Sequence, residues 1–511
     1  MSSNRQIAKN IIYSSVSFVI NMCISFFITP YLIRIVGKEA YGFYPLVDSL
    51  IGYTSIFTSA IGSMAGRFVT NTYYQGKLED SKGYFNSIFA GYLFLAAIFT
   101  IIGIVFIAYI TDLLSIPEYL ELDVKWLFFF SVITMAISMS TTVFSLGTYV
   151  KDRVDMNSMR DLASNLTKIF FILLLFLLFR PSIIFMGISA AFAALVAAGY
   201  NIYFRMKFIS EIEINVRKYF SWYKLRNVIS YGIWSSLNAL SVILSTSINL
   251  LFTNIFINAE QTGDFSIANT VPGLIASISG MLAITFTPHF NILYAEDKMQ
   301  ELVSEITKSI KILAFIIAIP TGFFLVNSDM FFKLWLPTAY NERILNLSFI
   351  TILFTMFGLV SNPMFSIFTI TGKRKMPAFA LFSVGFMNIV SMFVLLNYTQ
   401  LGIYAISLSG TVFLFLRDLF FTPIYCSKCL NIKISTFYPV LGKGVLAILV
   451  VVSLSIIGKY LVFDLSWISF FMLFIVIALI SLFVNCLVLL SKSDRLYLLS
   501  MANKYFVKSK S

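Results

Sequence analysis

The sequence predicts an all-α polytopic membrane protein with about 14 transmembrane helices, arranged as two pseudo-symmetric six-helix lobes followed by two C-terminal helices. Three observations support this fold class. Of the 511 residues, 59% are hydrophobic and only 12% are charged, whereas an ordinary soluble domain has about a quarter charged residues. Fourteen continuous apolar windows are each long enough to cross a hydrocarbon core of about 30 Å as a helix. Finally, the lysine and arginine residues concentrate in every second connection between consecutive windows.

The fourteen windows follow one another with short polar connections. A strand-built barrel would instead show alternating segments of about 10 residues, so the windows are expected to be helical. The first window is longer than a signal-peptide core and lacks an A-x-A cleavage pattern, so it is expected to stay in the mature protein. In chain order the windows are Ile11–Val36, Phe43–Gly66, Tyr84–Ile110, Val124–Tyr149, Asp161–Phe179, Ile183–Phe204, Asn227–Ile257, Asp264–Phe290, Ile310–Asn327, Leu345–Thr371, Pro377–Leu396, Ile403–Cys426, Val440–Val462 and Trp467–Leu490.

The placement of lysine and arginine predicts the orientation, because cytoplasmic loops hold the excess of these residues. With the amino terminus inside, 28 of the 37 lysines and arginines fall on the cytoplasmic side. Both termini are therefore expected in the cytoplasm, and the chain in the cytoplasmic (inner) membrane. The same asymmetry accounts for the net charge of +13, so no nucleic-acid partner is expected.

An internal repeat in the sequence predicts that the chain forms two similar lobes. Six windows separate its two copies, and an even number of crossings gives both copies the same orientation. Matches of this kind can also arise by chance in Ile- and Ser-rich sequence. We predict a first lobe at residues 1–209, a cytoplasmic linker at 210–226, a second lobe at 227–430, and two additional helices with a basic cytoplasmic tail at 431–511. The matched positions are Lys9-Asn10 and Asn21 with Arg226-Asn227 and Asn238 (shift 217), and Gly42, Asp48 and Gly52 with Gly263, Asn269 and Gly273 (shift 221).

The linker mixes basic residues with three aromatic ones, Phe220, Trp222 and Tyr223. Such a segment is typical of a helix that lies in the inner membrane interface, with aromatic side chains towards lipid and basic ones towards headgroups. We expect an ordinary connection between the lobes, with the aromatic residues that are usual at an interface, rather than a lipid-specific role.

The sequence shows no catalytic constellation and no metal site. His289 is the single histidine, and the Cys426-Ser-Lys-Cys429 pair lacks the second CxxC or the histidines that would complete a zinc site. The best acidic cluster, between Asp112 and Asp123, lies on a loop of only about a dozen residues. We therefore predict that the protein is not an enzyme and has neither a resident cofactor nor a metal.

Four charged residues within or beside the first five windows are the main candidates for function. They are Arg34, Asp48, Arg67 and Lys168. A charge at a helix centre costs about 2.5–3.5 kcal/mol on insertion scales, so it is usually retained for a pathway or a partner. Asp48 and Lys168 are the strongest candidates for lining an aqueous cavity. Arg34 and Arg67 can alternatively extend to the headgroups at opposite membrane surfaces.

Three residues of the second lobe are secondary candidates. Arg417 and Asp418 are neighbours in the twelfth window and point about 100° apart on a helix, so each is expected to pair with another helix or to face the inner interface. His289 lies one position beyond Pro288, the repeat counterpart of Arg67. Since the counterpart of Arg34 is Ile255, a central cavity would be cationic mainly on its first-lobe side.

Several of these residues also carry a resemblance to a known family. The stretch TPYLIRIVGKEAYGFYPLVDSLIGYTSIFTSAIGSMAGRFV, residues 29–69, resembles the first two helices of polysaccharide transporters, the Wzx-type O-antigen and capsule flippases of the multidrug/oligosaccharidyl-lipid/polysaccharide exporter superfamily. LGIYAISLSG, residues 401–410, is similar to the family's entry into its twelfth helix. The matching positions in the first stretch are Thr29-Pro30, Arg34, Val36-Gly37, Tyr41-Gly42 and Arg67.

The resemblance implies a flippase that moves a polyisoprenyl-diphosphate-linked oligosaccharide from the inner to the outer leaflet by alternating access. The implied partners are this lipid-linked oligosaccharide, membrane lipids, and the glycosyltransferases and glycan polymerase of the same biosynthesis. Arg34, Arg67 and Lys168 are candidates for binding the diphosphate, because arginine and lysine both pair with phosphate oxygens. Asp48 is the candidate for coupling to Na⁺ or H⁺, or it neutralises Arg34.

Two other cargoes remain open within the same superfamily. One is a drug or metabolite carried by a cation-coupled exporter, and the other is a lipid-linked cell-wall precursor. Exporters of hydrophobic cations favour acidic and aromatic cavities, whereas the candidate charges of the first lobe are mainly basic.

Overall fold

The computed structural model describes residues 2–153, 155–460 and 464–489. Within these ranges the regular elements are helices and there is no strand, which confirms the all-α fold class. The predicted helix ends at Val462 and Leu490 and the basic tail at 491–511 lie outside the described residues. We label the long segments α1 Ser2–Val36, α2 Lys38–Gly52, α3 Ser55–Tyr74, α4 Leu78–Ala108, α5 Glu118–Val150, α6 Asp155–Leu178, α7 Ile184–Phe208, α8 Trp222–Phe256, α9 Ala259–Ala295, α10 Met299–Trp335, α11 Glu342–Ile370, α12 Lys375–Tyr398, α13 Ile403–Cys429, α14 Ile434–Lys459 and α15 Trp467–Leu489. The single-turn helices Ile110–Leu113 and Val216–Tyr219 lie in connections.

Thirteen of the described helices are long and apolar enough to cross a membrane. They correspond to thirteen of the fourteen predicted windows, so the chain is a multi-pass membrane protein. The remaining window, Phe43–Gly66, is helical as well, but the structure divides it into α2 and α3.

α2 and α3 are joined by a short, more tightly wound helical turn at Tyr53 and Thr54. Tyr53 and Thr54 keep right-handed helical dihedral angles, with φ/ψ of −62°/−23° and −61°/−19°. Their amide groups donate to the carbonyls of Leu50 and Ile51, three residues earlier. Bonds of this kind are typical of a 3₁₀ turn, which often marks a hinge or strain within a helix. The direction of the chain from Lys38 to Tyr74 is therefore continuous across the two segments.

The chain divides into two compact units, Met1–Ser266 and Ile267–Ser511, which we call the first and second units. The first unit contains α1 to α8 and the beginning of α9. The lobe boundaries at residues 209, 226 and 430 are expectations from the repeat, and they remain predictions.

The core of the first unit lies where α3, α4, the end of α5 and the beginning of α8 meet. Its most buried side chains include Val69, Phe85, Val143 and Val228. The linker also contributes to this core, because Ile209 and Ile212 are fully buried in it. α6 packs against α1 and α7, and α2 packs against α5.

The linker is hydrogen-bonded to α4 and does not form one long interfacial helix. The side chain of Asn86 donates to the Glu213 carbonyl at 2.8 Å and accepts from the Asn215 amide at 2.9 Å, and Ser87 accepts from the Ser221 amide at 2.9 Å. These polar groups of α4 bind the backbone of the linker, and its helical parts are the single turn Val216–Tyr219 and the beginning of α8 at Trp222. Its aromatic residue Phe220 is exposed, as expected for an interface.

The second unit is organised around α10, whose side chains Ile310, Ile317 and Phe332 are fully buried. α14 runs close to α10, since a Cβ atom at Gly322 would lie 2.9 Å from the Ile448 carbonyl oxygen. α15 adds aromatic contacts to α10. The two C-terminal helices are therefore integral to the packing of this unit.

Candidate functional site

Lys168 on α6 lies against one face of α2. Tyr41, Tyr44 and Asp48 occupy that face, because their spacing of three and four residues places them one above another on a helix. The Lys168 ammonium donates to the Tyr44 hydroxyl and lies 4.8 Å from the centre of its ring. Tyr41 and Asp48 lie about one helical turn to either side of Tyr44 on this face. The structure therefore joins two of the predicted residues, Lys168 and Asp48, in one polar cluster, which we call the Lys168 cluster.

The Lys168 cluster reaches α1 through Tyr41. This tyrosine is buried, and its hydroxyl lies 3.4 Å from the Thr29 hydroxyl. Asp48 is exposed, so its carboxylate is open to solvent or to a ligand. The sequence reasoning missed both tyrosines, although their helical spacing from Asp48 was a usable indication.

Arg34 has an exposed side chain near the end of α1. In the part of the chain that the structure describes, it forms no hydrogen bond or ion pair with another residue, and no ion pair joins it to Asp48. The alternative in which Asp48 neutralises Arg34 directly is therefore not supported by the geometry.

Arg67 lines a separate cavity of about 590 Å³ in the first unit. The walls of this cavity come from α3, from Tyr92 of α4 and from the last turns of α5. Its lining residues are Gly62, Ser63, Ala65, Gly66, Arg67, Thr70, Asn71, Tyr92, Thr142, Val143, Ser145, Leu146 and Tyr149. Most of the polar side chains are hydroxyls, and Arg67 is the charged residue among them.

The distance along the helix separates Arg67 from the Lys168 cluster. Tyr44 and Arg67 are 23 positions apart on a chain that remains helical through Tyr53 and Thr54. At a rise of 1.5 Å per residue they lie about 35 Å apart, which exceeds the combined reach of the two side chains. Arg67 and Lys168 are therefore too far apart along this path to hold one diphosphate at the same time, and the three cations remain separate candidates.

Arg417 and Asp418 pair with each other in the second unit. The Arg417 Nε donates to Asp418 Oδ1 at 2.8 Å, and the guanidinium also lies over the ring of Phe365. Residues 417–421 form a π-helical turn, whose altered winding accompanies the contact between these sequence neighbours. The expectation that each residue pairs with a separate helix, or faces the interface, is wrong for Asp418, which is buried and directs Oδ2 towards Gly358 of α11.

Asn269 is the second-unit counterpart of Asp48, and His289 lies one position beyond the counterpart of Arg67. His289 is exposed on α9, and it makes no hydrogen bond or ion pair to any residue in the described ranges. Asn269 corresponds to Asp48 and accepts a hydrogen bond from Thr351 at 3.2 Å. These positions do not reproduce the Lys168 cluster.

A contact between the beginnings of α2 and α9 was not predicted. Lys38 Nζ lies 2.7 Å from Glu260 Oε1 and 3.3 Å from Asp264 Oδ1. The backbones also touch, because a Cβ atom at Gly42 would lie 2.7 Å from the Gly263 amide nitrogen. We call this arrangement the Lys38 clamp. The internal repeat had matched Gly42 with Gly263, but a sequence match alone could not show that the two glycines meet.

The fold is shared with solved membrane transporters. An inward-facing multidrug resistance MATE family transporter of the MOP superfamily has a TM-score of 0.64 at 14% identity, covering 80% of this chain and 96% of the other. The lipid II flippase MurJ in an inward closed conformation has a TM-score of 0.63 at 14% identity, covering 93% and 98%.

The family follows from the sequence match. This chain belongs to the family described as "Polysaccharide biosynthesis protein", whose model matches residues 7–291. It is also 26% identical over 422 residues to the uncharacterized membrane protein EpsK of Bacillus subtilis (strain 168), covering 82% of this chain and 83% of EpsK. The resemblance found at residues 29–69 is thereby confirmed at the level of the family.

Proposed function

We propose that this protein is a flippase that moves a polyisoprenyl-diphosphate-linked oligosaccharide from the inner to the outer leaflet of the cytoplasmic membrane by alternating access. Its membership of the polysaccharide biosynthesis family is the observation that carries the proposal. The cargo would serve a surface polysaccharide such as O-antigen or capsule. Glycosyltransferases would supply it, and a glycan polymerase would consume it outside.

The charges of the first unit support an anionic cargo. Arg34, Arg67 and Lys168 are cations in or beside apolar helices, and Asp48 is the acidic residue among the candidates. Moving two negative charges outward across an inside-negative potential of 100 mV releases about 4–5 kcal/mol. A diphosphate therefore fits these cations, and the membrane potential favours its export. Exporters of hydrophobic cations would need the opposite charge balance.

Asp48 provides a means of coupling the cycle to an ion. Its carboxylate is exposed and lies about one helical turn from Tyr44, the partner of Lys168. Binding of Na⁺ or H⁺ to Asp48 would remove this compensating charge and strengthen the attraction of Lys168 for an anion. Release of the ion would weaken that attraction. In this proposal both termini lie in the cytoplasm.

Deletion of the gene is the direct test of the cargo. We expect lipid-linked oligosaccharide to accumulate in the inner leaflet of the deletion strain, because its charged and sugar-bearing headgroup does not cross the hydrocarbon core unaided. Leaflet distribution is measured by access of a membrane-impermeant glycosidase or lectin in oriented vesicles. The wild-type gene expressed from a plasmid is the control. A normal rate of arrival in the outer leaflet, in a strain without a second flippase, would refute the proposal.

The Lys38 clamp gives a test of alternating access. In the predicted orientation it closes the outer side, so release of cargo would require α2 and α9 to separate there. We expect that Lys38→Cys and Asp264→Cys, joined through two disulfides by a short bis-methanethiosulfonate reagent, stop glycan export and that a reductant, which cleaves these disulfides, restores it. The background replaces the four native cysteines with serine, and Lys38→Cys alone is the matched control. Unchanged export by the cross-linked protein would contradict a moving clamp.

A further inference from the structure

The Arg67 cavity has the composition of a site for a phosphorylated, hydroxyl-rich headgroup. Arg67 presents five donors in a fixed fork that matches phosphate oxygens. Ser63, Thr70 and Ser145 supply hydroxyl groups, and the ring of Tyr149 supplies an apolar face. The volume of about 590 Å³ lies within the range of about 300–1,000 Å³ that is common for ligand sites.

Arg67 is available to a ligand. Its side chain is exposed to the cavity, and it has no hydrogen bond or ion pair to another residue within the described ranges. The cavity contains no acidic side chain among its described lining residues, so an incoming anion would meet no fixed negative charge there. A hydrophobic cation would be repelled by Arg67.

Beyond the cavity, the ends of the two helices that form most of its lining, α3 and α5, are joined to each other by hydrogen bonds. The Tyr74 hydroxyl donates to the Val150 carbonyl at 2.8 Å. Lys151 donates to the Tyr73 hydroxyl at 2.8 Å, and Tyr73 donates to Glu211 of the linker at 3.0 Å. The hydrogen bond with Tyr73 raises the pKa of Lys151, so this lysine stays cationic beside the cavity. These contacts fix the walls, which favours a preformed site over one assembled by the ligand.

We propose that this cavity is an entry site for the phosphate-bearing headgroup, distinct from the Lys168 cluster about 35 Å further along the helical path of α2 and α3. This inference rests on the proposed function. In the predicted orientation Arg67 lies towards the cytoplasm, so the headgroup binds Arg67 first and Lys168 second. The two positions hold the anion in succession.

The test uses full-length protein in nanodiscs with a photoreactive amino acid in place of Tyr149. The probe is radiolabelled polyprenyl diphosphate without sugar. We expect light-dependent labelling at position 149 that Arg67→Ala reduces by at least about tenfold, that Arg67→Lys reduces less, and that Lys168→Ala leaves largely intact. Arg374→Ala, an exposed arginine on the predicted cytoplasmic side, is the matched control and should not change labelling.

Three outcomes decide the inference. Loss of labelling in Arg67→Ala, with retention in Lys168→Ala and in the control, supports two separate sites. Equal loss of labelling in both variants overturns the separation of the two sites. Retention of labelling in Arg67→Ala overturns the entry site. Neither result affects the flippase assignment, which depends on the deletion experiment.

Competition by unlabelled polyprenyl diphosphate should require about tenfold less ligand than competition by inorganic pyrophosphate, since the lipid is held at the membrane. Equal competition would overturn the lipid source in favour of a soluble phosphate.

Discussion

Replacing Lys168 with alanine is expected to reduce glycan export by roughly 10- to 100-fold while the protein still inserts. The reason is that a hydrogen bond to a charged group contributes about 1.5–3 kcal/mol, and each 1.4 kcal/mol corresponds to a factor of about ten. Lys168→Arg should retain more export than Lys168→Ala, because it keeps the positive charge above Tyr44. Arg34→Ala is also expected to lose export. Surface glycan per cell, normalised to the amount of flippase in the membrane, measures the effect.

Lys207→Ala is the matched control for Lys168→Ala. Lys207 also contacts a tyrosine hydroxyl, that of Tyr203 at 3.0 Å, but it is exposed at the end of α7. Its loss should leave export close to that of the wild type, since exposed charges contribute little. Wild-type glycan output from Lys168→Ala and Arg34→Ala would show that these cations are structural or interact only with headgroups.

Adding a side chain at Gly232 is expected to disrupt the packing of α8 on α3. A Cβ atom at this position would lie 1.8 Å from the carbonyl oxygen of Ala60, so the two backbones would have to move apart. Overpacking of this kind costs about 1–3 kcal/mol and occasionally more, and small residues are what permit close helix contacts in membranes. Gly232→Ala should therefore unfold at a lower temperature in detergent and yield less monodisperse protein, and Gly232→Leu should be worse.

Gly199→Ala separates the steric effect from the general effect of removing a glycine. Gly199 also lies within a helix of the first unit, α7, but a Cβ atom there would have no neighbour within 4 Å. This variant should be as stable as the wild type or slightly more stable, because alanine is the better helix former by about 1 kcal/mol. Equal unfolding temperatures for Gly232→Ala and Gly199→Ala would contradict the close contact between α8 and α3.

The helices were largely predictable because each depends on a continuous local run of apolar residues. Thirteen windows correspond to helices long and apolar enough to cross a membrane, and the division at Tyr53 and Thr54 was missed because neither residue is a proline or a glycine. The path of the linker could not be predicted, for a different reason. Its basic and aromatic composition indicated an interface, but the side chains that determine its path, Asn86 and Ser87, lie on α4 more than 120 positions earlier in the chain.

The candidate site could be predicted only as a set of residues. The cost of placing a charge in a membrane helix singled out Arg34, Asp48, Arg67 and Lys168 without reference to their neighbours. Their grouping could not be derived, because it depends on which faces of α2, α3 and α6 meet. The pairing of Arg417 with Asp418 depends in the same way on a π-helical turn that the composition does not reveal.

The sequence by itself determined that this chain is a helical, multi-pass membrane protein of the polysaccharide biosynthesis family, since apolar length and local motifs are properties of short segments. Only the tertiary structure decided that Lys168 contacts Tyr44, that Arg67 has a cavity of its own, and that Gly42 meets Gly263. The physical reason is that the free energy of placing a residue in the membrane depends on the residue itself and on the short segment around it. Its partners depend on helix rotation and packing, which are set by contacts between residues far apart in the chain.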